Sequence, residues 1–474
     1  MRPIRKKTKI VATIGPATSS LENLKALAMA GMDVVRVNFS HGEYDKHLEV
    51  VQRVRQMNEE LGLHIAILGD LQGPKLRVGD IPEGSIELED GSEVVFCTEA
   101  GVKDTIEMRY DSFAADVKPG EMFLIDDGKL KLEVVSTDGK TKVKAKVIHG
   151  GALSSRKGLN LPATKISQPS MTDKDRQDLD FAIEHDFDWI ALSFVRTARD
   201  IIELKHIIRD KKGRSRVIAK IEKPEAVRNI DEIIEESDGL MVARGDLGVE
   251  TPMESVPLIQ KMIINKCRQW GRPVIVATQM MESMITNFQP TRAEVNDVAN
   301  AVLDGTDAVM LSAETSVGKY PIDVVKKMTR IIQHMEDSDI LYSNSQEMLN
   351  VEDERRVSDA ICEASTQLAN SAGAKAIVTM THSGYTAMKI SSYRPKADIY
   401  AFTSNPSLLA KLSLVWGVWG FFYDKMVSTD HTIADIKYLL KQDGVVKDGD
   451  LLINIASMPI SEQGMTNMLK LSKV

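Results

Sequence analysis

A chain of 474 residues with a formal charge of -8 has room for two to four domains and is too acidic for general nucleic-acid binding. Hydrophobic residues at 43% and charged residues at 27% fit a globular chain with a large core. No run approaches 18 apolar residues, the N-terminal apolar run is too short for a secretory signal, and the three scattered cysteines show no CxxC spacing. No membrane span, signal peptide or disulfide framework is therefore expected, and the chain reads as cytoplasmic.

In chain order, Lys9–Gly15 predicts a strand closed by Gly-Pro, and Ser20–Ala30 a helix ended by Gly31. Asp33–Phe39 is a second strand, Tyr44–Leu61 an amphipathic helix and His64–Leu68 a third strand. From Leu71 to Ile166 the helical periodicity is replaced by short alternating strands with Gly turns, the signature of a small β domain inserted into the first. A helix N-capped by Thr172 runs to Glu184. Strands follow at Trp189–Phe194, Val217–Glu222, Gly239–Arg244, Val274–Ala277 and Ala308–Ser312, with helical stretches between them, one over Lys223–Glu236. Eight strands in βα order predict a (β/α)8 TIM barrel. The alternative, an open doubly wound sheet, is disfavoured because the first βα turn lacks a dinucleotide fingerprint. Pro321–Asp337 is a further helix, and a polar stretch leads to a C-terminal α/β domain. The expected organisation is 1–70 and 167–343 for the barrel, 71–166 for an inserted small β-barrel lid, and 344–474 for the last domain.

In such a barrel the active site lies at the carboxyl ends of the strands. Those ends carry Thr13, Arg36, Asn38, Ser40, His41, Asp70, Ser193, Arg196, Lys220, Glu222, Gly245, Asp246, Thr278, Gln279, Ser312 and Glu314. Lys220 and Glu222 sit two apart in one strand and project from the same side. A simple buried ion pair would explain them, and turn formation would explain Asp246 between its glycines and Asp70 before Leu-Gln-Gly-Pro. Their coincidence at one end of the predicted barrel favours chemistry: one cation and two carboxylates suit a divalent metal and an anionic ligand held together.

TKIVATIGPAT, VVRVNFSHG, ILGDLQGPKLR, RKGLNLP, IALSFVR, IAKIEKPEAV, MVARGDLGVE, VIVATQMMESMI, PTRAEVNDVANAVLDGTDAVMLSAETSVGKYP and TMTHSGYTA are long, nearly unbroken matches to one family. On these segments the chain resembles the pyruvate kinases over essentially its whole length. The resemblance implies transfer of a phosphoryl group from phosphoenolpyruvate to ADP, giving pyruvate and ATP, in a homotetramer with a mobile lid. It implies Glu222 and Asp246 as ligands of Mg²⁺ or Mn²⁺, and Lys220 as the cation on the transferring group and the enolate. Arg36 would hold the phosphoryl group, and the backbone around Gly245 and Asp246 the substrate carboxylate. Thr278 would take part in proton delivery, with Ser312 and Glu314 as relay members. Asn38, His41, Arg77 and Lys157 match nucleotide-contacting positions.

Where many relatives read Asp-Thr-Lys-Gly-Pro-Glu, this chain reads Asp70-Leu71-Gln72-Gly73-Pro74-Lys75. That is similar to the branch whose lysine replaces K⁺, so activity without K⁺ is expected, although Asn38, Ser40, Asp70 and Leu71 still stand at K⁺-site positions. Thr381, Ser383, Gly384 and Thr386 match the loop that holds an effector phosphate in regulated relatives. An ordinary N-cap with a Gly turn explains the same residues. The loop Ser457–Asn467 lacks the family's glycines and carries Glu462, so a monophosphate effector is expected rather than a bisphosphate. A carbon–carbon lyase would use the same metal carboxylates, but the lid and Arg77 weigh against it. A non-catalytic metabolite-binding protein would be expected to have lost Lys220 or a metal ligand.

Overall fold

The computed structural model describes residues 4–82, 84–342, 355–425, 428–458 and 464–474. The boundary expected between 343 and 344, and the expectation that rests on Glu462, lie outside the described residues.

Eight parallel strands close into a barrel: Lys9–Thr13, Val34–Asn38, Ala66–Asp70, Trp189–Leu192, Arg216–Ile221, Gly239–Ala243, Val274–Ala277 and Ala308–Leu311. Their spatial order follows the chain, with Ala66–Asp70 paired to Trp189–Leu192 across the inserted segment. Period-two alternation explains the two cores. Val11, Val34, Leu68, Trp189, Ile218, Met241, Ile275 and Met310 fill the interior, while their neighbours Ile10, Val35, Ile67, Ile190, Val217, Leu240, Val274 and Val309 pack under the surrounding helices. Those helices are well punctuated. Thr172 and Thr291 make capping boxes with Asp175 and Glu294, and Gly31, Gly62 and Gly271 end helices at positive φ.

Between Ser85 and Asn160 lie a six-stranded sheet and a two-stranded ribbon. Arg77 bridges to Gly158 beside one edge strand of the larger sheet and Val78 to Met108 beside the other, so the two edges are joined through one segment of chain. Phe96, Phe113 and Phe123 meet edge to face in the core of this unit.

The C-terminal sheet has strands Ala376–Met380, Asp398–Thr403, Val418–Phe422, Leu451–Ala456 and Met468–Lys473, the last antiparallel to its neighbour. It docks on the amino end of the barrel. Leu414 closes the barrel interior from below, Lys9 Nζ donates to the Val418 carbonyl (3.0 Å), and Arg394 pairs with Asp307 (2.9 Å). None of the helices among the described residues is long and apolar enough to cross a membrane.

Asp188, at the amino end of its strand, accepts the Ile67 N–H (2.8 Å), but burial pushes its carboxyl up to about 6. A raised carboxyl pKa means that the folded state binds the proton more tightly than the unfolded chain. This residue therefore favours folding below pH 4, and the contribution is lost as pH rises through 6. Asp188→Asn keeps the acceptor and removes the charge. Because the side chain keeps some solvent contact, the expected gain is about 1–2 kcal/mol at pH 8 and close to nothing at pH 4. Thermal melts of both proteins at the two pH values measure it; equal shifts at both would contradict it.

Candidate active site

Lys220 is the centre of the ring. Its Nζ donates to Ser193 Oγ (2.6 Å) and pairs with Glu222 Oε1 (3.0 Å) and Asp70 Oδ1 (3.1 Å). Burial alone would push this ammonium down, but Asp70 and Glu222 outweigh it and hold it above the usual lysine range. Asp70 is buried as well. Burial pushes it up, and Lys220 and Arg36 bring it below its ordinary value. Arg36 donates Nε to Asp70 Oδ2 (2.7 Å) and Nη1 to Thr13 Oγ1 (2.9 Å), while Nη2 has no hydrogen bond among the described residues. Glu222 is 1% exposed and accepts the Phe194 N–H (2.7 Å). Burial raises its pKa; Lys220 opposes the rise and nearby Asp246 adds to it. Four strands thus contribute to one charge network.

Asp246 does not lie in an open turn. Arg244–Glu250 is a short helix that starts where the strand Gly239–Ala243 stops, and Asp246 is in its first turn. Glycine in a strand–helix junction reads as punctuation, yet here Gly245 and Gly248 lie inside the helix. The predicted helix over Lys223–Glu236 is likewise two helices, Pro224–Arg228 and Ile230–Glu236. They break at Asn229, whose amide donates to the Arg196 carbonyl (3.0 Å).

Thr278 and Gln279 both have positive φ, 70° and 53°. A β-branched residue there is strained, by about 1–3 kcal/mol, and something must hold it. Arg244 does so. Its Nη2 donates to the Thr278 carbonyl (2.7 Å), its Nε to the Ala277 carbonyl (3.3 Å), and Asp297 grips the guanidinium with both oxygens (2.7 Å each). The Thr278 hydroxyl accepts the Gly245 N–H (2.8 Å) and donates to the Ala277 carbonyl (2.6 Å). Reading the sequence missed Arg244 and Asp297 as supports. An arginine opening the Arg-Gly-Asp segment was the available signal.

Among the described residues, neither Ser312 nor Glu314 hydrogen-bonds that hydroxyl. Glu314 is buried, accepts the N–H groups of Ser312 (2.7 Å) and Met281 (3.2 Å), and so ties two strand-end loops together. Among the nucleotide-matching residues, Arg77 and Lys157 come together in the inserted domain, where Val78 N–H donates to the Lys157 carbonyl (2.9 Å) and Lys157 pairs with Asp126 (2.9 Å). Asn38 and His41 adjoin on the barrel, the His41 N–H donating to the Asn38 carbonyl (3.3 Å). Lys75 does not join Asn38, Ser40 and Asp70. It is exposed, has no ion pair among the described residues, and lines a cleft with Asp246 and Glu250. In the C-terminal domain, Thr381 Oγ1 accepts the Gly384 N–H (2.9 Å) and Thr386 meets Thr466 (2.9 Å). Thr381, Ser383 and Thr386 line a cavity of about 370 Å³ with Arg355, His382 and Ser404.

Comparison with known proteins bears on this arrangement. The family description "Pyruvate kinase, barrel domain" matches residues 5–325, and "Pyruvate kinase, alpha/beta domain" matches residues 359–472. The chain is 44% identical to a pyruvate kinase of Geobacillus stearothermophilus over 98% of its own length and 80% of that protein. It is 42% identical to one from Staphylococcus aureus strain MRSA252, over 99% and 80%. Its fold is similar to the crystal structure of a pyruvate kinase from Cryptosporidium parvum, with a TM-score of 0.91 at 35% identity over 99% of this chain and 96% of that one. A phosphotransferase that acts on phosphoenolpyruvate and ADP accounts for both the charge ring and these relatives, and the chain belongs to the pyruvate kinase family.

Proposed function

We propose that Lys220 carries the phosphoryl transfer and that Glu222 and Asp246 hold the divalent metal, Mg²⁺ or Mn²⁺, that the reaction uses. The observation that supports this most strongly is the Lys220 ammonium, which lies within 3.1 Å of Asp70, Glu222 and Ser193 at once. The donor set fits the metal. Mg²⁺ takes one or two protein carboxylates and fills its octahedron with water and substrate oxygens. Among the described residues no three His, Cys, Asp or Glu side chains cluster as a closed metal cage. When bound, the metal supplies positive charge to the substrate's carboxylate and phosphoryl oxygens.

The chain's own groups do the rest. Arg36 uses its uncommitted Nη2 on the phosphoryl group, while Asp70 and Thr13 fix its plane. Lys220 neutralises the transferring group and then the enolate oxygen. The substrate carboxylate competes with the Thr278 hydroxyl for the Gly245 N–H, which frees a lone pair on that oxygen to accept from a water and orient it toward the enolate carbon, while the hydroxyl's own proton stays on the Ala277 carbonyl. Glu314 holds the loop rather than relaying the proton. Asn38 and His41 on the barrel, with Arg77 and Lys157 on the lid, contact ADP. Phosphoenolpyruvate, ADP and Mg²⁺ assayed for pyruvate release, against Glu222→Gln, test the assignment. Full activity in that variant would refute it.

The expectation of activity without K⁺ is supported by how the cation-site oxygens are used. Both Asp70 oxygens face cations, the Leu71 carbonyl accepts the Ser193 hydroxyl (2.6 Å), and Asn38 Oδ1 accepts the Ser40 N–H (3.1 Å). The fixed charge is thus supplied by Arg36 and Lys220, with Lys75 at the rim. We expect less than about a two-fold rate change on replacing tetramethylammonium by K⁺ at constant ionic strength; a rise of orders of magnitude would refute it.

The C-terminal cavity would take a phosphorylated effector. Its hydroxyls, with Arg355 as the one Lys or Arg side chain among its described lining residues, suit one phosphate better than two. Activation by AMP or ribose 5-phosphate above that by fructose 1,6-bisphosphate is expected in parallel titrations; preference for the bisphosphate would refute it. We place the enzyme in the cytoplasm as a homotetramer. Met253 and Leu258 on the barrel are 75% and 71% exposed, and burial between subunits would cover them.

A further inference from the structure

Lys223 and Glu250 enter no step above, yet both are buried, at 9% and 2% exposure. Lys223 follows Glu222 directly. Its Nζ donates to Glu250 Oε1 (2.5 Å) and lies 5.9 Å from the centre of the Phe194 ring, whose backbone N–H holds Glu222. Glu250 is the last residue of the helix whose first turn carries Asp246. One ion pair therefore ties the strand end bearing Glu222 to the helix bearing Asp246. The third member comes from the inserted domain. Asn160, in its last strand and 9% exposed, donates Nδ2 to the same Glu250 oxygen (2.9 Å). Glu250 Oε2 is buried without a hydrogen-bond partner among the described residues. A buried carboxylate held by only one cation and one amide is sensitive to losing either. The cleft here, lined by Asn160, Lys223, Asp246 and Glu250, encloses about 30 Å³, room for one water. The inserted domain is thus shut down on this corner.

We propose that Asn160, Glu250 and Lys223 form a latch through which closure of the inserted domain sets the separation of Glu222 and Asp246. All three are positioning residues. When the domain lifts, Glu250 loses the Asn160 amide, and the helix carrying Asp246 is tied to Glu222 by Lys223 alone. When it closes, the helix is held from both sides and the two carboxylates stand at a fixed spacing. The latch rests on the reading of Glu222 and Asp246 as metal ligands.

The test uses the full chain and two readouts other than turnover. One is Mn²⁺ binding, measured from the free Mn²⁺ resonance with the metal alone. The other is energy transfer between dyes on Lys140→Cys in the inserted domain and Arg199→Cys on the barrel, both exposed positions; the native cysteines are buried. Asn160→Ala is expected to weaken Mn²⁺ binding about ten-fold, the worth of one hydrogen bond to a charged group, and to lengthen the dye separation. Glu250→Gln keeps an oxygen for Asn160 but loses the charge pair. It is expected to weaken Mn²⁺ binding while the dye separation stays near wild type. An ion pair with only a structural role would lower the melting temperature in these variants and move neither readout. If either readout in Asn160→Ala matches wild type, the latch is overturned. Failure of the metal reading shows differently, as wild-type Mn²⁺ binding in Glu222→Gln.

Discussion

Lys220→Ala is expected to lower kcat by at least about 10³-fold while KM for phosphoenolpyruvate changes only a few-fold. The reason lies in where the charge is needed. Phosphoryl transfer has little covalent chemistry for a protein to perform, so positioned cations supply most of the acceleration. Arg36 and the metal ligands remain in the variant, so ground-state binding survives. What is lost is the ammonium that meets the charge developing on the transferring group and on the enolate oxygen. Steady-state kinetics separate these cases. A higher KM with unchanged kcat would show that Lys220 contributes uniform binding only, and would overturn the role given to it.

The same substitution has a structural consequence that must be measured beside it. Removing Lys220 leaves two buried carboxylates short of a cation. Asp70 keeps Arg36, but Glu222 keeps only the Phe194 N–H. Breaking a buried pair costs about 3–5 kcal/mol when the remaining charge stays ionised. Glu222 has a way out, since its pKa is already raised by burial and loses its main opposing influence with Lys220. The shift is expected to go further up in the variant, which limits the loss. Lys220→Arg is the informative control. It keeps the charge but puts a broad planar group where a compact ammonium reaches Ser193, Asp70 and Glu222 together, so most of the activity should still be lost.

Much of the site was legible because its residues sit at ends of strands that the apolar alternation marks clearly. Lys220 and Glu222 share a face by spacing alone, and Arg36 and Asp70 follow runs that can only be buried strands. What stayed hidden has no local signal. The Lys223–Glu250–Asn160 contacts join residues up to 90 positions apart, and nothing in a glutamate at a helix end announces its partner. The break at Asn229 is a tertiary override: a segment rich in helix formers yields to one amide bonded to a neighbouring loop. The last strand, Met468–Lys473, lies on a sheet edge and is only partly buried, so its pattern is weak where edge strands are usually polar. Lys75 could be placed in the sequence only by its match to a family pattern; in the fold it is exposed and lines the cleft with Asp246, while the buried Asp70 pairs with Arg36 and Lys220.

Thr278 is the residue that reading by propensity would never place in a left-handed conformation, and this makes Arg244→Lys the second variant with a large expected effect. Arg244 makes two carbonyl contacts to the Ala277–Thr278 turn while Asp297 fixes its fork with both oxygens. Lysine keeps the charge and can satisfy Asp297 or one carbonyl, but it cannot span all of them from one rigid plane. Without the clamp, the turn is expected to relax toward negative φ, releasing about 1–3 kcal/mol of strain. That motion carries the Thr278 hydroxyl away from Gly245 N–H, and a displacement near 1 Å is enough to cost about 10²-fold in a positioned step. The loss should fall on proton delivery rather than on transfer of the phosphoryl group. Pyruvate release should slow about 10²-fold, and solvent-proton exchange into pyruvate by the enzyme should slow with it. Thermal stability should change little, because the released strain offsets part of the lost hydrogen bonding. Asp297→Asn should show a milder form of the same pattern, since it leaves Arg244 in place with a weaker grip. If Arg244→Lys slows phosphoryl transfer and proton exchange unequally, with exchange untouched, the clamp does not act through Thr278.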